Sequence, residues 1–134
     1  MTYRVECDVA VDEVSTAGEA WRIMIDYMGT VFPHGRRAFA MFVGPSDAEA
    51  ALRLDVDADV GRAAATWLPD NGIGAEPGVP ACHVALSVCE SSDDEPIAVP
   101  ADRAIVTPGA ALTALQEYIS TGQKPTVLAW TAPS

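Results

Sequence analysis

Cys82 and His83 come first among residues that could do chemistry, because a thiol beside an imidazole is the smallest nucleophile and base pair. Adjacent residues of a strand point to opposite faces, however, so these two cannot readily act together. The sequence has two histidines, His34 and His83, and three cysteines, Cys7, Cys82 and Cys89. Cys82, His83 and Cys89 lack the paired spacing of a structural zinc site and a fourth ligand. Asp55, Asp57 and Asp59 superficially match a calcium loop, but the Gly and bidentate Glu of such a loop are missing. Their spacing continues a strand alternation, which reads as acids on a wet face. Asn71-Gly72-Ile73-Gly74 is no phosphate cradle, since no helix start follows and its neighbours are acidic. These residues therefore specify no reaction and call for no metal or cofactor. The cysteines are expected as buried thiols in a reducing compartment, without an obligatory disulfide.

The elements around these residues are well punctuated. Tyr3 to Asp12 alternates strictly and predicts one strand with one wet face. Thr16-Ala17-Gly18-Glu19 is a capping box opening a helix to about Met28, with Val14 as a staple against Ala20. Its apolar arc is broad, and Trp21 and Trp130 are expected in the core. Thr30 to Arg37 reads as a loop, and Ala38 to Val43 as a central strand. Leu52 to Leu68 predicts a hairpin with a polar outer face, turning at Ala58-Asp59-Val60-Gly61. Pro69 to Ala81 is rich in Gly and Pro and reads as an exposed loop. His83 to Glu90 alternates, Ser91 to Glu95 is an acidic turn, and Pro96 to Pro100 is extended. Thr107 caps and Pro108 opens a helix that Gly122 stops, before a closing strand over Thr126 to Trp130. The sum is one α+β domain over residues 1–134: a single antiparallel-rich β-sheet with two helices packed on one face and a wet, acidic opposite face.

A chain of 134 residues, 49% hydrophobic and 20% charged, is long enough to bury roughly two-thirds of its unfolded surface in one core. No apolar run approaches the roughly 20 residues of a membrane helix, and the first residues lack the apolar stretch of a secretory signal, which implies a cytoplasmic protein. Nineteen acidic against eight basic residues give a net charge of -11. Such a charge repels phosphate backbones and favours basic partners, so direct nucleic-acid binding is excluded as a reading. Ala63 to Asp102 carries -7 of it, with Asp70, Glu76, Glu90, Asp93, Asp94, Glu95 and Asp102 and no Lys or Arg. Simple solubility and a partner-directed surface both account for that segment.

Two blocks carry a resemblance. Leu52 to Leu68 gives an alternating strand, an Asp- and Gly-containing turn and a second strand with Trp67; Ile97 to Trp130 gives an extended segment, a strand, the capped helix, the turn Thr121-Gly122-Gln123-Lys124-Pro125 and a terminal Trp. In that order they resemble an immunity protein family of bacterial polymorphic toxin systems, whose members often sit beside nucleic-acid deaminase toxins. The first third of the chain matches more loosely. The resemblance implies a small, catalytically inert, cytoplasmic protein that binds a cognate toxin and occludes its active site. A cytosine deaminase acting on nucleic acid is the first choice of toxin. Such a toxin needs a basic substrate channel, to which an acidic plug is complementary.

The expected toxin-facing residues are Asp70, Glu76, Asp93, Asp94 and Glu95, with Trp67 as a nearby anchor, because they lie in loops of the one stretch devoid of basic residues. The second choice of surface is Glu6, Asp8, Asp55 and Asp57 on the sheet. A non-catalytic adaptor or small-ligand-binding module is the alternative function, and an enzyme ranks third, for want of a nameable pKa-tuned pair.

Overall fold

The structure is a computed structural model that describes residues 1–132. Seven strands make one antiparallel sheet in the order β2-β1-β3-β4-β5-β6-β9: β1 is Tyr3–Cys7, β2 Ala10–Val14, β3 Ala38–Pro45, β4 Leu52–Asp57, β5 Arg62–Trp67, β6 Gly72–Ala75 and β9 Ala129–Thr131. Two helices, α1 over Ala17–Met28 and α2 over Pro108–Thr121, complete the α+β fold. A two-stranded ribbon, β7 (Leu86–Val88) and β8 (Ile97–Val99), forms a second sheet.

Both helices start and stop where their end residues dictate. Thr16 accepts from the Glu19 backbone while the Glu19 carboxylate reaches back to the Thr16 nitrogen, giving the full capping box. At α2 the Thr107 hydroxyl accepts from the Ala110 nitrogen, and Gly122 ends the helix with φ 70°, a conformation open to glycine. Ala111, Ala114, Leu115, Tyr118 and Ile119 of α2 pack with Ala20 and Met24 of α1 on the face formed by Val5, Phe39, Met41, Val43, Leu54, Val56 and Ala65. Each large aliphatic side chain buried there is worth about 1.5–3 kcal/mol.

Four local expectations are corrected. Tyr3 to Asp12 is a hairpin instead of one strand: Asp8 adopts φ 54° and reverses the chain, so that Cys7 faces Ala10 and Tyr3 faces Val14. Within Pro69 to Ala81, Gly72 to Ala75 is a paired strand, and its glycines have a packing reason, since a Cβ on Gly74 would sit 3.0 Å from the Trp130 ring and 3.1 Å from Ala65 and Leu128. The α1 apolar arc is only partly covered: Trp21 remains 43% exposed, and Ile25, one turn on, is exposed with it. Of His83 to Glu90, Leu86–Val88 is strand, and His83 is exposed ahead of it.

A fifth correction concerns the wet face. Asp55 and Asp57 are buried, at 3% and 0% exposure, because the segment after β6 returns over the helix-free side of the sheet. Leu86, Val88, Val99, Cys82 and Ala104 cover Ala38, Ala40 and Ala64 there and make a second, smaller core. Small side chains on β3 and β5 leave the ribbon room to approach. Where β1 ends at Cys7, opposite Met41, the exposed edge of β3 is completed by Cys89, whose N–H donates to Ala38 and whose carbonyl accepts from Ala40. All three cysteines are buried and free.

Candidate partner-binding surface

The two buried aspartates build turns and ion pairs. Asp57 accepts from Arg36 Nη2 at 2.8 Å with one oxygen and from the Asp59 and Val60 nitrogens with the other, closing the β4–β5 turn. Asp59 in turn takes two hydrogen bonds from Arg37, both 2.9 Å. These acids therefore clip the turn to the loop before β3, which is what their spacing serves in place of calcium.

Asp55 does something different. Arg53, two residues away on the same face, grips both of its oxygens, with Nε at 3.1 Å from each and Nη2 at 2.9 Å. Arg53 Nη2 also meets Glu90 at 3.1 Å, and its guanidinium lies 5.0 Å from the centre of the Phe42 ring. Burial pushes the Asp55 carboxyl above its ordinary range against the pull of Arg53, while two carboxylates keep the guanidinium charged. Two acids thus share one cation, and one negative charge is left over at this point of the sheet.

Cross-strand register sets these residues in one row. Val11 of β2 faces Glu6 of β1, Glu6 faces Phe42 of β3, Phe42 faces Arg53, Arg53 faces Thr66 of β5, Thr66 faces Ile73 of β6, and Ile73 faces Thr131. All lie on the helix-free face, because the neighbours of Glu6, Phe42 and Arg53 in their strands (Val5 and Cys7, Met41 and Val43, Leu52 and Leu54) supply the main core and register carries the same side across to β2, β5, β6 and β9. The ribbon covers one end of that face. The loop after β3 covers the other, since a Cβ on Gly44 would come within 2.6 Å of Ala50 and the Glu49 carbonyl. Between them a groove of about 300 Å³ opens, floored by Arg53, Asp55 and Thr66 and walled by Ile73, Ile97 and Val99.

The residues expected to face a partner fall in three places. Asp93, Asp94 and Glu95 are exposed at the β7–β8 turn, and Ser92 beside them donates from its nitrogen to Asp8 at 2.6 Å and from its hydroxyl to the same carboxylate. The β1–β2 and β7–β8 turns are thereby joined. Trp67 ends β5 and Asp70 lies in the turn to β6: Trp67 is half-buried, edge-on to Tyr118 and Trp130, and Asp70 caps Gly72 at 2.8 Å and pairs with Lys124 at 3.6 Å. Trp130 is half-buried there too, its indole donating to the Pro125 carbonyl at 2.7 Å. Glu76 is bound to Thr107 at the start of α2. Sequence reasoning missed Phe42, Arg53, Ile73, Glu90 and Ile97 as members of one surface, and no local signal marks them, because the row exists only through strand order.

Comparison with known proteins then decides the family. The family model described as Immunity protein Imm1 matches residues 2–132. The chain belongs to the Imm1 immunity protein family. Its function is accordingly toxin-neutralising immunity, and its partner is a cognate toxin. No curated protein matches the chain. For an Imm1 member the structural question is which face meets the toxin. Among the described residues no cluster of His, Cys, Asp and Glu is arranged to hold a metal, and no helix is long and apolar enough to cross a membrane.

Proposed function

We propose that this Imm1 protein is a stoichiometric, non-catalytic inhibitor that acts in the cytoplasm of the toxin-producing cell by sitting in the active-site cleft of a nucleic-acid-acting toxin, in the first instance a cytosine deaminase. Membership of the immunity family carries the inhibitory role. The net charge of -11 supports the nature of the target, because an enzyme that grips a polyanion offers basic residues around its cleft, and an acidic protein competes for them. Asp93, Asp94 and Glu95, exposed on one turn, are suited to speed capture, and Trp67 and Asp70 around the β5–β6 turn form a second candidate contact. Tight inhibition, nanomolar or about -12 kcal/mol, needs buried apolar anchors besides rim acids.

The test is co-expression with the product of the adjacent open reading frame, scored by co-purification and rescue from toxicity. Titration of uracil formation in a nucleic-acid substrate then checks the chemistry. A 1:1 complex that abolishes uracil formation is the expected result; rescue without any deamination by the toxin alone would replace deaminase with another activity. The groove of about 300 Å³ favours one rival, a small-ligand-binding module, since it sits at the lower end of ligand-pocket sizes. A stoichiometric small molecule retained through purification would mark that rival.

A further inference from the structure

We infer that the toxin docks on the helix-free face of the sheet, along the row from Val11 through Glu6, Phe42 and Arg53 to the groove under Ile97, and that it places there a basic side chain flanked by an apolar one. This inference rests on the inhibitory reading above and names the surface that performs it.

Three independent observations converge on this strip. The first is cover. The opposite face of the sheet is consumed by α1 and α2, and both ends of this face are roofed by chain, yet the row between them stays open. The second is exposed apolar surface in line with it: Val11 is 60% exposed on the same side as Glu6, and Ile97 is 39% exposed above the groove. Aliphatic side chains set around a half-buried aromatic ring are what a desolvated contact requires. Five strand spacings of about 4.8 Å, from Val11 on β2 to Ile73 on β6, make the strip about 24 Å long.

Charge is the third observation, and it sets the partner's chemistry. Asp55 and Glu90 share Arg53, so two acids face one base at this point of the strip, while Glu6 is paired with Arg4 and Arg103 lines the groove further along. Register places Glu90 and that turn at the Ile97 end of the ribbon, because Val88 pairs with Ile97, and Arg103 at the Val99 end, because Leu86 pairs with Val99. The groove is therefore polarised along its length, and an incoming Arg or Lys is drawn to the Glu90 end. Glu90, held by Arg53 at 3.1 Å while its side chain stays 40% exposed, is the acid that cation meets, and its position needs no rearrangement.

The experiment measures the affinity of the wild type, Val11→Arg, Ile97→Arg and Trp21→Ala/Ile25→Ala for a catalytically inactivated cognate toxin domain by calorimetry, with a thermal melt of each. The expected result is a loss of at least about tenfold for each of the first two, with unchanged melting, and wild-type affinity for the helix variant. Wild-type affinity in both Val11→Arg and Ile97→Arg overturns the docking surface while leaving the inhibitory function in place. Absence of any wild-type complex removes the function and the surface together. Hydrogen exchange on the unsubstituted complex reads the same question should a variant melt early: protection of β2, β3 and β8 supports the strip, and protection confined to α1 overturns it. Toxin-free dimerisation that Val11→Arg abolishes would assign the face to a second copy and overturn it as well.

Discussion

Thr107 donates two hydrogen bonds to Glu76, from its backbone nitrogen at 2.9 Å and its hydroxyl at 2.7 Å, while that hydroxyl accepts from the Ala110 nitrogen. A carboxylate expected to reach for a partner is thus joined to the start of α2, where the helix dipole also favours negative charge. Glu76 belongs to an acidic loop by position and to a helix cap by contact.

Replacing Glu76 with Ala should therefore lower stability by about 1 kcal/mol and leave toxin affinity within about twofold of the wild type. Chemical denaturation and calorimetry check the two halves separately. A large affinity loss at unchanged stability would place Glu76 in the interface.

Asp93, Asp94 and Glu95 make the opposite case. Their joint replacement by Lys should leave the melting temperature almost unchanged, slow association with the toxin by about tenfold at low salt, and flatten its salt dependence. Stopped-flow association at several salt concentrations reads this. Unaltered rates would confine recognition to the sheet.

Glu117 fixes the entry to β9 by accepting from the Thr126 nitrogen at 2.6 Å, the Thr126 hydroxyl at 2.8 Å and the Val127 nitrogen at 3.2 Å. The Thr126 backbone bond, with the hydroxyl and Val127 bonds behind it, holds the carboxyl below its usual 4.5. A depressed carboxyl stabilises the fold fully above the unfolded value and loses that contribution as pH falls through the folded one. Glu117→Gln should accordingly be less stable than the wild type at pH 7, with the gap closing below about pH 4.5. Urea midpoints measured from pH 3 to 7 test it; a constant gap would mean that charge plays no part.

Burial pushes the Cys7 thiol up to about 12, with Cys89, Asp8 and Asp12 adding to it, and burial raises Cys89 too. Thiolate is the reactive form, so the folded protein should react with a thiol-specific disulfide reagent at pH 8 at least about 100-fold more slowly than the denatured chain. Rapid native modification of Cys7 would show that the sheet opens at β1.

The elements legible in the sequence are those specified by near neighbours. Thr16 with Glu19, and Thr107 with Pro108 and Gly122, announce both helices because caps act within one turn. The β4–β5 hairpin was readable from Gly61, whose φ is 78°. Alternation hid the β1–β2 turn, since Asp8 takes a left-handed conformation without a glycine to flag it. Gly72 and Gly74 read as loop residues, although their missing side chains are what admit Trp130 and Leu128 to the end of the sheet. Asp55 and Asp57 read as solvent-facing because their cover arrives from Leu86 and Val88, about thirty residues later. The acidic turn was visible as composition. The strip of Val11, Phe42, Arg53 and Ile97 was not, because it is assembled from four strands whose order no local pattern encodes.

The bond between Ser92 and Asp8 links two loops that are 84 positions apart in sequence. Any attempt to retarget this scaffold to a different enzyme by swapping its recognition loops must move the tips around Asp8 and Ser92 as a matched pair. Grafting one alone would leave the other's donor or acceptor without its mate and let the two fingers splay apart.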